Sequence, residues 1–285
     1  MRILYVAEVV GKAGVYAMKT ALPALQRERG VDFTIACADG ATGGYGLGRN
    51  HAAYLRKLGA DALTTGECVF YKKDLVENIG RLPYVLRPAN LTASAPGLGA
   101  RVYGAGGRKV AVAVLLGQAG FGRLHADNPY AALPVLLERL RRETPFVVVD
   151  FHASATAEKL SLFALADGWC SAVIGSHGRV QTADERVMPH GTAAICDAGR
   201  TGSLDSVGGT DIASRIAEYR TGIPDWTRDA WGRPELQGVL IDIRDDGKAS
   251  SIERIRIACA RPEKAEDGYE RDSASPQDGG DVDNG

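Results

Sequence analysis

Five short polar segments carry residue types that hold metal ions or move protons. They are Ala7-Glu8-Val9-Val10-Gly11, Ala38-Asp39-Gly40, Thr65-Gly66-Glu67-Cys68, Asp150-Phe151-His152 and Ser176-His177-Gly178-Arg179. Each follows a short apolar, β-branched run, at the place where an α/β sheet exposes its functional ends. Carboxylate oxygens and imidazole nitrogens gathered from separate strand ends form a ligand set suited to Zn, Mn or Fe. Taken singly, an acidic residue after a strand is as readily a helix cap or turn residue, and a lone histidine a structural one. What points to one site above a sheet is their common position.

The elements that must position these residues are short. Strands are expected at Arg2–Val6, Phe33–Ala36, Ala62–Thr65, Tyr84–Leu86, Val110–Leu116, Phe146–Val149, Ala172–Ile174, Ala193–Cys196, Val239–Ile243 and Ile252–Ile257. Helical periodicity covers Val15–Arg29, with Gly30 as its stop, then Ala131–Arg142, Thr156–Leu165 and Asp211–Tyr219 before Gly222. Strands alternating with helices in the first half predict parallel pairing. The last two strands, joined through Asp245-Asp246-Gly247, predict an antiparallel hairpin. The chain is thus α/β, with a mixed sheet or two packed sheets flanked by helices.

A net charge of −1 gives no general attraction for duplex nucleic acid or an anionic membrane. The five cysteines are scattered, odd in number and form no CxxC pair, which argues against both a zinc ribbon and a disulfide framework. No apolar run approaches the roughly 20 residues that span a bilayer. The opening Met1-Arg2-Ile3-Leu4 reads directly as a strand, so a cytoplasmic protein is expected. From about Arg261 the composition turns to Pro, Glu, Asp, Ser and Gly, so residues 261–285 are expected to form a disordered acidic tail behind a domain at 1–260.

The order and wording of many segments resemble the YmdB-like branch of the calcineurin-type metallophosphoesterases. The resemblance runs through Val9-Val10-Gly11-Lys12, Ala41-Thr42-Gly43-Gly44, Thr64-Thr65-Gly66, Leu86-Arg87-Pro88-Ala89-Asn90 and Asp150-Phe151-His152-Ala153, with Glu158-Lys159 beyond. It continues in Val180-Gln181-Thr182-Ala183-Asp184-Glu185, Gly191-Thr192-Ala193, Thr201-Gly202 and Asp205-Ser206-Val207. The resemblance implies a sandwich of two mixed β-sheets flanked by helices, a dinuclear metal centre, and hydrolysis of phosphodiesters including cyclic nucleotides. In that family a metal-bridging hydroxide attacks phosphorus, and a histidine beside the metals protonates the leaving oxygen.

Residue by residue, the site departs from the family pattern. Glu8 stands for an aspartate. Asp39 stands for the glutamate that bridges both metals, and Gly40 for an asparagine ligand. Glu67 replaces a second asparagine ligand, and Cys68 takes the place of the proton-donating histidine. His152 and His177 fall on ligand positions, whereas Arg179 stands where the family has a further histidine. Sorted by metal, Asp39, Glu67, His152 and His177 can all coordinate, while the other site would draw on Glu8, Asp39, Gly40 and Arg179. Glycine has no side-chain ligand atom, and an arginine does not deprotonate to bind a cation. One divalent metal (Mn, Fe or Zn) per chain is therefore expected, with the Arg179 guanidinium in the other's place, paired with Glu8 and Asp39. Three carboxylates, one arginine and one divalent cation then cancel, and Arg179 could also grip a phosphate oxygen.

Two readings follow. The first is a metal-dependent phosphodiesterase with an altered one-metal site, acting on a cyclic nucleotide or related small phosphodiester. The second is an impaired pseudoenzyme with a ligand-binding or regulatory role. Self-association into a homo-oligomer is compatible with either. Cys68 is expected to be a small buried residue rather than an acid, and His51 a surface residue. His125 and His190 fall in polar loops. Gly104-Ala105-Gly106-Gly107 precedes a strand instead of opening a helix, so it is not a dinucleotide loop.

Overall fold

The computed structural model describes residues 1–225 and 228–260. The expected acidic tail at 261–285 lies outside the described residues.

Two mixed sheets form the body. The first runs β2 (Glu8–Val9), β12 (Arg200–Asp205), β13 (Gly232–Ile243), β1 (Arg2–Val6), β3 (Phe33–Cys37), β4 (Ala62–Thr64) and β5 (Val85–Leu86), with β14 (Ala249–Ala258) also paired to β13. The second runs β10 (Arg186–Val187), β11 (Ala193–Ile195), β9 (Ala172–Ser176), β8 (Val147–His152), β7 (Arg108–Leu116) and β6 (Ala100–Ala105). Strands β1, β3, β4 and β5 are parallel, as the strand–helix alternation predicts. Strands β13 and β14 form the expected antiparallel hairpin, with Gly247 at φ 83° in its turn.

The apolar runs are continuous because these strands are buried on both faces. Val110, Val112 and Val114 of β7 point between the sheets, where they meet Ile3, Tyr5, Phe33 and Ile35. Ala111, Ala113 and Leu115 of the same strand face outward, against Leu133 and Leu137 of α4 (Pro129–Arg141) and Leu162 of α5 (Thr156–Ala166). On the opposite side Leu4 and Val6 pack with Met18, Leu22 and Leu25 of α1 (Gly11–Arg29). Helices α2 (Arg49–Lys57) and α3 (Lys73–Asn78) complete that layer, and α6 (Ile212–Thr221) buries none of its residues.

Helix α1 begins four residues earlier than its periodicity predicts, at Gly11 rather than Val15. Its first turn has no capping side chain of its own. The Gly11 N–H donates to the Gly40 carbonyl, and the Lys12 N–H to Asp229 across 217 residues of sequence separation. A cap supplied from so far away leaves no local start signal. Strands β6 and β12 are likewise unannounced, because half-exposed and glycine-containing strands lack a long apolar run.

Candidate metal centre

The C-terminal ends of β3, β4, β8 and β9 come together, and with them come Asp39, Glu67, His152 and His177. One Glu67 oxygen bonds His152 Nε2, and the other lies 3.1 Å from His177 Nδ1. Asp39 Oδ2 stands 3.8 Å from the same His152 nitrogen. The two imidazole centroids are 5.1 Å apart. Potential ligand atoms of Glu67, His152 and His177 all lie within 4.8 Å of one another, as do those of Asp39, Glu67 and Cys68.

Glycine makes this approach possible. A Cβ on Gly66 would meet the His152 ring at 2.3 Å, so only a residue without a side chain lets that ring lie against the β4 exit. His177 and Arg179 have φ values of 88° and 56°, both in the left-handed region that side chains rarely adopt. Such a conformation costs about 1–3 kcal/mol per residue and persists only where surrounding contacts enforce it.

His152 is fully buried, and its orientation is fixed from behind. Its Nδ1 lies 2.9 Å from Ser176 Oγ, which donates at 2.7 Å to Asp150 Oδ1. Asp150 also accepts from Tyr5 Oη at 2.7 Å and from the Thr64 hydroxyl. With its one proton directed to Asp150, the Ser176 oxygen accepts from His152 Nδ1–H. The Nε2 lone pair is thereby turned toward Glu67 and Asp39, an arrangement that suits a metal ligand.

Burial, followed by the charge of Glu67, pushes the Asp39 carboxyl up to about 8, against backbone donation from Gly66. Its two oxygens accept from the N–H groups of Gly66 (2.6 Å) and Cys68 (3.0 Å). Burial alone would raise Glu67 too, but the imidazoles of His152 and His177 hold it well below the usual carboxylate range. Burial opposes the charged form of His152, yet the carboxylates around it, Glu67 foremost, raise it well above an ordinary histidine. Facing lone pairs held this close need a shared proton or a cation between them. Two carboxylates and two imidazoles from four strand ends are a donor set that fits a divalent ion.

Beside this cluster, Arg179 Nη2 lies 2.7 Å and Nε 3.0 Å from Glu8 Oε1. The remaining guanidinium contacts are to the carbonyls of Gly208 (3.0 Å) and Gly44 (2.9 Å). The expected pairing with Glu8 is present. The expected pairing with Asp39 is not, because that carboxylate is engaged by the backbone of Gly66 and Cys68 instead. A Cβ on Gly40 would meet Arg179 Nη2 at 2.9 Å and Glu8 Oε1 at 3.0 Å, so the ion pair fills the space a side chain at 40 would need. Glu8 Oε2 is buried and has no partner among the described residues, which leaves one carboxylate oxygen free for a proton donor or a cation.

Cys68 is buried, and burial together with Asp39 and Glu67 pushes its thiol far above the usual range. His51 is half-buried rather than a surface residue. Its Nδ1 lies 2.9 Å from the Thr42 hydroxyl, behind the loop that leads to Gly44. Sequence reasoning missed Phe121, whose ring meets His177 edge-on at 4.9 Å and lies 6.0 Å from His152. It also missed Asp150, although a carboxylate two residues before His152 in a run of valines is itself a signal, because strand period places both on one face.

Two packed mixed sheets flanked by helices are the sandwich of the metallophosphoesterase-type fold, here with carboxylates and histidines gathered at its strand ends. The chain belongs to the YmdB-like protein family, which it matches over residues 4–255. It is 40% identical over 258 residues to the 2',3'-cyclic-nucleotide 2'-phosphodiesterase of Bacillus subtilis, covering 90% of this chain and 97% of that one. The crystal structure of a phosphatase from Mycoplasma pneumoniae superposes with a TM-score of 0.84 at 30% identity, over 90% of this chain and 93% of that one. A hypothetical protein from Thermus thermophilus matches equally, with a TM-score of 0.84 and 30% identity over 90% and 99% of the two chains. Among the described residues no helix is long and apolar enough to cross a membrane.

Proposed function

We propose that residues 1–260 form one catalytic unit, a cation-dependent phosphodiesterase acting on a cyclic nucleotide or a related small phosphodiester in the cytoplasm. The observation that carries this reading is Glu67 set between His152 and His177, with Asp39 alongside. Those four residues would hold one divalent cation (Mn, Fe or Zn), and Arg179 with Glu8 stands in for a second. Likeness to the Bacillus subtilis phosphodiesterase supports the substrate class.

When bound, the cation supplies Lewis-acid polarisation of a phosphoryl oxygen and a water of lowered pKa. The protein's own contributions are positional. Ser176 and Asp150 fix the His152 tautomer, and the left-handed turn at 177–179 presents both His177 and Arg179. The Arg179 guanidinium, anchored on Glu8, offers fixed positive charge beside the cluster for a phosphate oxygen. Cys68 is a poor proton donor because burial holds its thiol neutral, so the leaving oxygen takes its proton from solvent. Loss of a positioned general acid typically costs about 10²–10⁴ in rate.

A second reading rests on Cys68 and Gly40, which remove an acid and a ligand. It makes the chain a pseudoenzyme that keeps ligand binding for a regulatory role. Hydrolysis of a chromogenic phosphodiester with added Mn²⁺ separates the two. Turnover that disappears in His177→Ala supports the enzyme, and turnover that survives this substitution excludes chemistry at this cluster. No turnover by either protein, with the ligand still bound, leaves the pseudoenzyme.

A further inference from the structure

We propose that Asp197, clamped by Lys159, is a positioning residue that holds the turn at 177–179 in the conformation that aims His177 and Arg179 into the metal centre. Its consequence for metal uptake rests on the one-cation reading above.

Asp197 and Lys159 are both almost fully buried, and the Lys159 ammonium lies 2.9 Å from Asp197 Oδ2. The same oxygen accepts the Gly178 N–H at 2.7 Å, while Oδ1 accepts the Gly199 N–H at 2.9 Å. Gly178 is the residue between the two that adopt positive φ, His177 and Arg179. A carboxylate gripping the middle amide of a three-residue turn resists relaxation of both flanking residues toward ordinary backbone angles. The far side of the turn is held as well, since Arg200 Nη1 donates to the Arg179 carbonyl at 2.8 Å.

Glycine again clears the path. A Cβ on Gly178 would stand 2.7 Å from Asp197 Oδ2, and one on Gly175 would meet the Lys159 stem at 3.1 Å. Lys159 lies on α5, the helix that follows the His152 strand. The clamp therefore ties the element behind one histidine to the turn carrying the other. The preceding residue does similar work on the opposite loop, for Glu158 Oε1 accepts the Gln118 N–H three residues before Phe121. Thus Glu158-Lys159, a pair prominent in the sequence and outside the ligand set, acts on both loops that flank the cluster.

The test uses the full-length chain and two variants. Asp197→Ala removes the carboxylate. Gly178→Ala pushes the turn off it while leaving the buried ion pair intact, and it decides the matter if Asp197→Ala does not fold. Ring-nitrogen NMR resonances of His177 are recorded without metal, with those of exposed His190 as reference, and Mn²⁺ affinity is then titrated. Expected are displaced His177 resonances with His190 unchanged, and Mn²⁺ affinity lowered about 10–100-fold. Leu137→Ala, on the buried face of α4 in the outer core, should lower stability yet keep wild-type His177 resonances and affinity. Wild-type His177 resonances and Mn²⁺ affinity in both turn variants would overturn the proposal, as would the same losses in Leu137→Ala. A wild-type protein that takes up no metal would sink the one-cation reading instead, and the ring resonances alone would then judge the clamp.

Discussion

Arg179 Nη2 lies 2.7 Å from Glu8 Oε1, and both atoms crowd the space above Gly40. Glu8 is 1% exposed and the Arg179 side chain 16%, so the acidic partner is buried and the guanidinium largely so. Breaking such a pair from one side strands a charge in the interior. Arg179→Gln should therefore cost about 3–5 kcal/mol of stability. Urea denaturation reads this directly, and the double variant Glu8→Gln/Arg179→Gln should recover much of the loss.

Ser176 should matter to metal binding without touching the metal. Its hydroxyl joins His152 Nδ1 to Asp150, and Ser176→Ala frees the ring to turn or change tautomer. An outer partner of this kind typically contributes 10–100-fold in affinity, on the order of the loss expected when Mn²⁺ is titrated calorimetrically into this variant.

The two kinds of site residue were not equally legible. Strand-end position marked the five polar segments, and the family resemblance picked Asp39, Glu67, His152 and His177 out of them as the ligand set. The α/β class was readable from β1, β3, β7 and β8, which are apolar runs buried on both faces, whereas two sheets rather than one came from the resemblance. Asp150 carried a signal in its spacing from His152, whereas Ser176, Asp197 and Lys159 were not readable as parts of the site. Their roles depend on hydrogen bonds between strands and loops far apart in the chain, which periodicity does not encode. The start of α1 was hidden likewise, because its cap comes from Asp229. Pairing of Arg179 with Asp39 was expected from the second-metal places that the resemblance implies and from the balance of charge. It fails because backbone amides of Gly66 and Cys68, invisible to a count of charges, reach that carboxylate first.

The metal-free protein should lose stability as pH rises. Asp39 ionises at 3.8 in the unfolded chain and at about 8 in the folded one. The folded state thus binds the extra proton between those values, and stability falls with pH across that window. His152, raised above 6.5, acts in the same direction, because what its proton contributes is lost as pH climbs. Glu67 is shifted oppositely, and its contribution is lost only as pH falls below about 4.5. A cation favours the deprotonated ligands and displaces these protons. Mn²⁺ should accordingly raise the melting temperature more at about pH 8 than at about pH 6. Thermal unfolding with and without MnCl₂ checks the sign.

If the missing acid limits turnover, Cys68→His should raise kcat toward the lower part of the roughly 10²–10⁴ range that a positioned acid supplies. Single-turnover hydrolysis of a chromogenic phosphodiester measures it. An unchanged rate would place the limitation at the Arg179 position instead.

The central claim is that Asp39, Glu67, His152 and His177 hold a single divalent ion while an arginine fills the neighbouring place. Elemental analysis of the desalted protein, loaded with Mn²⁺, addresses it most directly. One ion per chain, lost on His177→Ala and retained in the double variant Glu8→Gln/Arg179→Gln, is the predicted result. Two ions per chain, none, or an ion that stays when His177 is removed would contradict it.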